Sequence, residues 1–158
     1  MRTKLSTLAA ASLMLGAALA IAPPSAAQAA SACTGFSYVP LATTSTRDAH
    51  TPTLGNGTGN RNCYLIRGNR GVAVVVLQEA LVYCYGQYVG PAGIDGDFGT
   101  NTKNALMNAQ RKINELFDWQ HTTVDGEYGP QTRELLMGPI FAANGGPRIP
   151  DAGCTYPG

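Results

Sequence analysis

The apolar residues of this chain fall into one long run near its start and three later stretches with helical spacing. The long run covers residues 5–22 and is almost wholly apolar. In the later stretches the apolar positions recur about every three or four residues, which is typical of helices with a buried face. They predict helices over 72–85, about 100–116 and about 130–137.

The first predicted helix carries two apolar rows, although a surface helix needs only one buried face. One explanation is that the segment between Cys33 and Cys63 packs over the second row. The other is that this row is an exposed patch for a protein partner. The first row is Val74, Leu77 and Leu81, with Tyr85 as its possible end, and the second is Val72, Val75, Val76 and Tyr83.

A ten-residue pattern at 94–103 returns at 124–133, at a constant offset. Both copies read apolar, Asp-Gly, acid, aromatic, Gly, two further residues, Thr and base. Each copy lies at the start of a predicted helix. Asp-Gly favours a turn, because glycine adopts positive φ without a steric penalty and Asp accepts hydrogen bonds from nearby amides. The pattern therefore predicts two similar turns that each lead into a helix.

Three features of these turns follow from residue type. The aromatic residues Phe98 and Tyr128 are predicted to be buried anchors. Pro130 suits the first position of a helix, where its missing N–H has no partner to lose. Asp95 and Asp125 are expected to cap the following helices with their carboxylates, a contact worth about 0.5–2 kcal/mol.

The first 29 residues read as a secretory signal peptide. Arg2 and Lys4 precede the apolar run, Pro23-Pro24 ends it, and small residues follow. The alternatives are an uncleaved membrane anchor and a lipoprotein acylated at Cys33. Secretion predicts a location outside the cell or on the cell wall, with no membrane contact after the signal is removed.

Net charge argues against nucleic acid as a partner. The full chain has 11 Lys and Arg residues against 10 Asp and Glu. Removing the signal peptide takes away two bases and leaves a mature net charge of about −1 by this count. A nearly neutral protein without a basic run is a poor binder of nucleic acid or of anionic membranes.

The four cysteines predict two disulfides, because an even number in a small secreted chain is typical of a disulfide framework. Metal binding competes, but no Cys-x-x-Cys occurs. Three pairings are possible, and we favour Cys33 with Cys63 and Cys84 with Cys154. The first pair would hold the N-terminal segment, and the second would tie the tail to the domain.

These patterns divide the chain into four parts. After the signal peptide, residues 30–63 are rich in Thr, Gly and Asn and read as a loop-rich segment anchored by cysteines. Residues 64–138 hold the helical patterns and the repeated turns. Residues 139–158 are rich in Gly and Pro and read as a coil tail tied down by Cys154.

Residues 64–138 resemble the peptidoglycan-binding domain 1 family in their full set of motifs. The residues that carry the resemblance are Val74, Leu77-Gln78, Leu81, Asp95-Gly96, Phe98-Gly99, Thr102, Ala105-Leu106, Gln110, Asp125-Gly126, Tyr128-Gly129-Pro130, Thr132 and Leu135-Leu136. The resemblance implies a small all-α three-helix bundle, here with disulfide-stapled coil extensions at both ends. Two departures stand out. Ala109 occupies a position where the family usually carries Phe, so Phe117 or Trp119 is expected to fill the space. The stretch 110–124 is also longer than usual.

The resemblance implies a secreted, non-catalytic module that binds bacterial peptidoglycan. An alternative is a protein–protein module on the same fold, such as an inhibitor or accessory subunit of a secreted wall hydrolase. A wall hydrolase is the third possibility. We expect no catalytic residues, metal or cofactor.

Three observations oppose catalysis. The only histidines, His50 and His121, lack the spacing of zinc ligands. No serine follows Ser45. A carboxylate pair for glycoside cleavage could come from Asp95, Asp97, Asp125 or Glu127, but their repetition favours a role in the turns.

Peptidoglycan offers sugar faces, amides and stem-peptide carboxylates, so aromatic and basic residues are the candidate ligand contacts. We expect a shallow polar groove between helices. The candidates are Tyr83, Tyr85, Tyr88 and Trp119 for sugars and Arg70, Arg111 and Arg133 for carboxylates. The remaining motif residues are interpreted as structural, with ligand contact as the alternative for Gln78 and Gln110. They are Gln78, Asp95, Gly96, Phe98, Gly99, Thr102, Gln110, Asp125, Gly126, Tyr128, Gly129 and Thr132.

Overall fold

The computed structural model describes residues 31–41 and 46–156, so the predicted signal peptide lies outside the described residues. Three helices form the middle of the described chain, and short strands flank them on both sides. In chain order the elements are β1 (Ser31–Ala32), β2 (Gly35–Pro40), β3 (Arg47–Thr53), β4 (Cys63–Tyr64), α1 (Val72–Tyr85), α2 (Thr100–Leu116), α3 (Pro130–Leu135), β5 (Gly138–Ala142), a 3-10 turn (Pro150–Ala152) and β6 (Cys154–Thr155).

The three predicted helices are present, although α3 ends at Leu135 rather than at about 137. The prediction of an all-α bundle with coil extensions is wrong. The segments before and after the helices pair in an antiparallel four-stranded sheet of order β2-β3-β5-β6. Strands β1 and β4 form a second, parallel pair. The supposed coil at the two ends of the chain is therefore one sheet whose strands come from distant parts of the sequence.

The strands of the N-terminal segment were not predicted because the segment is polar in composition. Three side chains of β3 are at most 1% exposed, although two of them are threonines: Ala49, Thr51 and Thr53. The Thr53 hydroxyl donates to the Gly55 carbonyl at 2.7 Å. Threonine is β-branched and suits a strand, and a bonded hydroxyl can be buried without a large penalty. Few large apolar residues mark this strand, so hydrophobic alternation did not predict it.

Helix α1 is apolar on two sides because it packs between α2 and the sheet. Val76 of the second row is only 5% exposed. It lines a narrow cavity with Thr51 and Pro52 of β3, so the explanation that the N-terminal segment covers this row holds for Val76. Tyr83 is different: it is 45% exposed, and the Arg148 guanidinium lies 4.1 Å from its ring centroid.

The predicted disulfide pairing is confirmed. Cys33 pairs with Cys63 across 30 positions, with a Cα–Cα distance of 5.0 Å. Cys84 pairs with Cys154 across 70 positions, with a Cα–Cα distance of 5.8 Å. The second bridge fixes β6 to the end of α1.

The departure at Ala109 is accommodated without Trp119. Ala109 is fully buried on α2. Trp119 is 75% exposed, so the expectation that it fills this space is wrong. Phe117 is partly buried and packs against the core. Within the described part of the chain, no helix has the length and apolar character needed to cross a membrane.

Candidate functional site

A fully buried glutamine on α1 holds the first Asp-Gly turn. The Gln78 amide nitrogen donates to the Asp95 carboxylate at 2.9 Å, to the Asp97 carbonyl at 3.1 Å and to the Thr102 hydroxyl at 3.1 Å. Its amide oxygen accepts from the backbone N–H groups of Asp95 and Gly96 at 3.1 and 2.8 Å. One side chain therefore joins α1, the turn and the first residues of α2.

A glutamine on α2 holds the second turn in the same way. The Gln110 amide nitrogen donates to the Asp125 carboxylate, the Glu127 carbonyl and the Thr132 hydroxyl at 2.9, 3.1 and 3.0 Å. Its oxygen accepts from the Gly126 N–H at 2.8 Å. Each helix thus fixes the turn that starts the next one.

The predicted capping of α2 and α3 by aspartates is wrong. The residues before the two helices are Gly99 and Gly129, and no side chain caps either helix. The Asp95 carboxylate instead accepts from the Asp97 N–H, two residues on, at 2.9 Å. The reason is distance along the chain, because each helix begins five residues after its Asp. The hydrogen bond from Gln78, followed by the Asp97 N–H, lowers the pKa of Asp95.

The two aromatic residues of the turns are buried and joined by one segment. Phe98 is 0% and Tyr128 2% exposed. Leu65 and Tyr128 exchange two backbone hydrogen bonds of 2.9 Å, and the Gly68 N–H donates to the Phe98 carbonyl at 2.9 Å. Residues 65–70 therefore run across both turns and set their relative position.

Gly126 lies where its turn meets α2, and a methyl group there has no room. Its φ is +70°, and an added Cβ would meet the Lys103 side chain at 2.6 Å and the Lys103 carbonyl oxygen at 2.9 Å. Gly57 has nearly the same φ, +69°, with nothing within 4 Å. We expect Gly126→Ala to lower the free energy of unfolding by about 2 kcal/mol more than Gly57→Ala, because only the first adds a backbone clash to the strain of positive φ. Urea unfolding of both variants measures the difference, and equal losses would contradict it.

A cleft of about 240 Å³ lies beside the second turn. It is bordered by β4, the turn and the start of α3. The cleft is lined by Tyr64, Thr122, Asp125, Glu127, Tyr128, Gly129, Pro130, Gln131 and Thr132. Thr122 bonds the Thr132 hydroxyl at 3.0 Å, which attaches the linker after α2 to one wall of this cleft.

The two turns differ in one acidic side chain. In the first turn the Asp97 carboxylate forms an ion pair of 2.8 Å with Arg70. Glu127 is the equivalent residue of the second turn. It is exposed at the cleft, and no ion pair reaches its carboxylate within the described residues. The second turn therefore offers a free acceptor where the first has a paired one.

The predicted aromatic contacts do not form one surface. Tyr85 is buried, its hydroxyl accepts from the Met137 N–H at 3.0 Å, and burial raises its pKa to about 12. That environment gives it a structural role. Tyr88 is 67% exposed, whereas the Tyr83 ring has Arg148 above it.

The three predicted arginines are each held by protein groups. Arg133 donates to the Arg61 carbonyl and pairs with Glu134 at 3.0 Å, and its side chain is only 17% exposed. Arg111 donates to the Asn108 side chain at 2.7 Å. Arg70 is engaged with the first turn, as described above. The structure does not place these arginines along the cleft.

Trp119 belongs to an aromatic ledge, defined by Phe117, Trp119 and Tyr156. The centroid of the Phe117 ring lies 5.6 Å from that of Trp119 and 5.8 Å from that of Tyr156, with interplanar angles of 81° and 66°. Together with Glu134 and Leu135, the ledge borders a second cavity of about 180 Å³. Sequence reasoning did not predict Tyr156 as part of a surface site. Its position two residues after a disulfide cysteine was the available signal.

The four acidic residues considered for catalysis belong to two separate turns. Asp95 and Asp125 each direct one carboxylate oxygen to a glutamine and a backbone amide. The cleft is lined by acids of the second turn. Among the described residues, no group of three His, Cys, Asp or Glu side chains is placed to hold a metal ion.

Comparison with protein families gives one match. Residues 70–136 match the model of the putative peptidoglycan binding domain. The matched range contains both glutamine-held turns and lies inside the predicted 64–138 domain, whose boundaries stay a prediction. Comparisons with curated proteins and with solved structures find no match.

Proposed function

We propose, on the premise that residues 70–136 are a peptidoglycan binding domain, that this protein is a secreted, non-catalytic module that binds the bacterial cell wall. The family match carries the proposal. The two disulfides support a location outside the cell, where such bonds persist. The partner is peptidoglycan, through its glycan and its stem peptide.

The cleft beside the second turn is the binding site in this proposal. Its exposed polar groups include the Glu127 carboxylate and the Gln131 side chain, which also accepts from Thr123 at 3.0 Å. Carboxylate and amide oxygens accept hydrogen bonds from hydroxyl, amide and ammonium groups. The wall polymer carries such donors on its sugars and peptides. The cleft therefore selects donors, rather than the carboxylates for which the arginines were predicted.

The arrangement favours binding over hydrolysis. A carboxylate pair for glycoside cleavage needs two groups that face one substrate bond. Here one Asp125 oxygen accepts from Gln110 and from the Glu127 N–H, so Asp125 is held in the turn, whereas the Glu127 side chain is exposed at the cleft. Glu127 then acts as a hydrogen-bond acceptor for a bound ligand.

The alternative of a protein–protein module loses part of its predicted surface. That alternative used the second apolar row of α1 as an interface. Val76 in the middle of this row is buried against β3, and Val72 and Val75 are half-buried. Because this row is partly covered, the structure favours wall binding over the alternative that this protein is an accessory subunit of a secreted hydrolase.

Sedimentation with insoluble peptidoglycan tests the proposal. We expect protein without its signal peptide to be recovered with the wall pellet, and much less with cellulose or chitin. Soluble muropeptides should not appear during the incubation. Equal recovery in the supernatant with and without wall would overturn the proposal, and release of muropeptides would favour a hydrolase.

A matched pair of variants locates the site. Glu127→Gln should weaken wall binding several-fold, because it replaces a charged acceptor in the cleft by a neutral one. Asp97→Asn makes the same change at the equivalent position of the first turn and should leave binding unchanged. Equal effects of the two variants would place the binding surface elsewhere.

A further inference from the structure

We propose that the aromatic ledge is a sugar-stacking subsite that takes a pyranose ring of the glycan strand. The inference rests on the proposed function and extends the binding surface from the cleft along α3. It assigns a role to Phe117, Trp119 and Tyr156, of which Tyr156 lies outside the range that matches the family.

The ledge has a half-buried base and two exposed rings. Phe117 packs against the core and forms T-shaped contacts with both other rings. Trp119 is 75% and Tyr156 39% exposed. Both rings therefore offer surface to a ligand and each contacts Phe117, and aromatic side chains lose little conformational entropy on binding because they have only two side-chain torsions.

The cavity at the ledge combines an apolar surface with a polar rim. Leu135 and the aromatic rings supply the apolar part, and the half-exposed Glu134 side chain supplies a carboxylate at the edge. A pyranose ring has the complementary character, since its C–H groups form an apolar face and its hydroxyl groups lie around the rim. A hydroxyl beside Glu134 would donate to a charged acceptor, which is a strong hydrogen bond.

The ledge and the cleft lie against successive turns of α3. Pro130 and Gln131 border the cleft at the start of α3, and Glu134 and Leu135 border the ledge at its end. At a helical rise of about 1.5 Å per residue, the two sets lie roughly 5–6 Å apart along the axis. Gln131 and Glu134 are also on one side of the helix, three residues apart. A polymer lying along α3 therefore contacts both, which favours a glycan strand over an isolated protein side chain.

The disulfide between Cys84 and Cys154 positions the third ring. Tyr156 follows β6, which this bridge fixes to α1. Phe117 and Trp119 come from the linker after α2. This linker is longer than the corresponding stretch usually is in the family. The subsite is thus assembled from a long linker and a tail, and the disulfide attaches that tail to α1.

Trp119 is the single tryptophan of the chain, so intrinsic tryptophan fluorescence reports on the ledge directly. We expect glycan strands freed of stem peptide to shift the emission and to reduce quenching by acrylamide. Free stem peptide should change neither signal. Trp119→Ala should weaken binding of the same glycan about five- to tenfold, whereas Trp119→Phe should keep most of the affinity. Tyr88, the exposed tyrosine first predicted as a sugar contact, lines neither the cleft nor the ledge, so Tyr88→Ala is the control and should leave glycan binding unchanged.

The outcomes separate this inference from the proposed function. The subsite would be overturned, and wall binding would stand, if two results were found together. The parent protein would bind whole wall with unchanged tryptophan emission, and Trp119→Ala would sediment with the wall as well as the parent does. Failure of the parent protein to bind wall would overturn both. Self-association that Trp119→Ala abolishes, without any response to glycan, would make the ledge a contact between copies and would also overturn the subsite.

Discussion

Gln78→Leu and Gln110→Leu are each expected to lower the free energy of unfolding by about 4 kcal/mol, as the sum of several lost buried hydrogen bonds. Each glutamine is fully buried. Leucine fills a similar volume but leaves the Gly96 or Gly126 N–H without its acceptor and the turn without its donor. A buried amide left unpaired loses its hydrogen bond to water as well as to protein.

A third glutamine is the control for this prediction. Gln87 is half-buried; it donates to the Tyr85 carbonyl at 2.8 Å and accepts from Asn108 at 3.1 Å. Gln87→Leu should reduce stability by about 1 kcal/mol. Urea unfolding followed by circular dichroism measures all three variants. A loss at Gln78 or Gln110 no larger than that at Gln87 would show that the turns hold themselves without the glutamines.

The double variant Cys84→Ser, Cys154→Ser is expected to have a free energy of unfolding about 4 kcal/mol lower than the parent protein. The reason is that the bridge restricts a long loop in the unfolded chain. The bonded cysteines are 70 positions apart. Without the bridge, β6 keeps only its short pairing with β5 at Gly138 and Pro139. If β6 also separates from the sheet, the free energy of unfolding should fall by more than the loop entropy of the unfolded state accounts for.

The other disulfide is the comparison for this variant. Cys33 and Cys63 are 30 positions apart, so the same entropy model gives Cys33→Ser, Cys63→Ser a slightly smaller loss, roughly 3.5 kcal/mol. Chemical denaturation of both double variants tests the order. A negligible loss for Cys84→Ser, Cys154→Ser would show that the sheet and helices hold β6 without the bridge.

The helices and turns could be predicted because their signals are local. Val74, Leu77 and Leu81 show the helical period directly, and α1 has the predicted bounds. The Asp-Gly pairs predict positive φ, and Gly96 and Gly126 have φ of +73° and +70°. Such patterns need no knowledge of what a segment packs against.

The sheet could not be predicted because its signals depend on distant partners. The threonine-rich segment that contains β3 reads as a loop until β5 is paired with its first residues and α1 is placed against the strand. The ledge was missed for the same reason. Tyr156 lies far from Trp119 in sequence, and its region reaches α1 through the Cys84–Cys154 disulfide and the pairing of β6 with β5.

The order of strands in the sheet has a consequence for how the protein folds. Strand β3 ends at Thr53, and its partner β5 begins at Gly138, with all three helices between them. Contacts between such distant segments form late and slow the overall rate, because a long loop must close first. Helix formation can therefore precede completion of the sheet, and a chain that is still being synthesised has to wait for β5 before β3 gains its second neighbour.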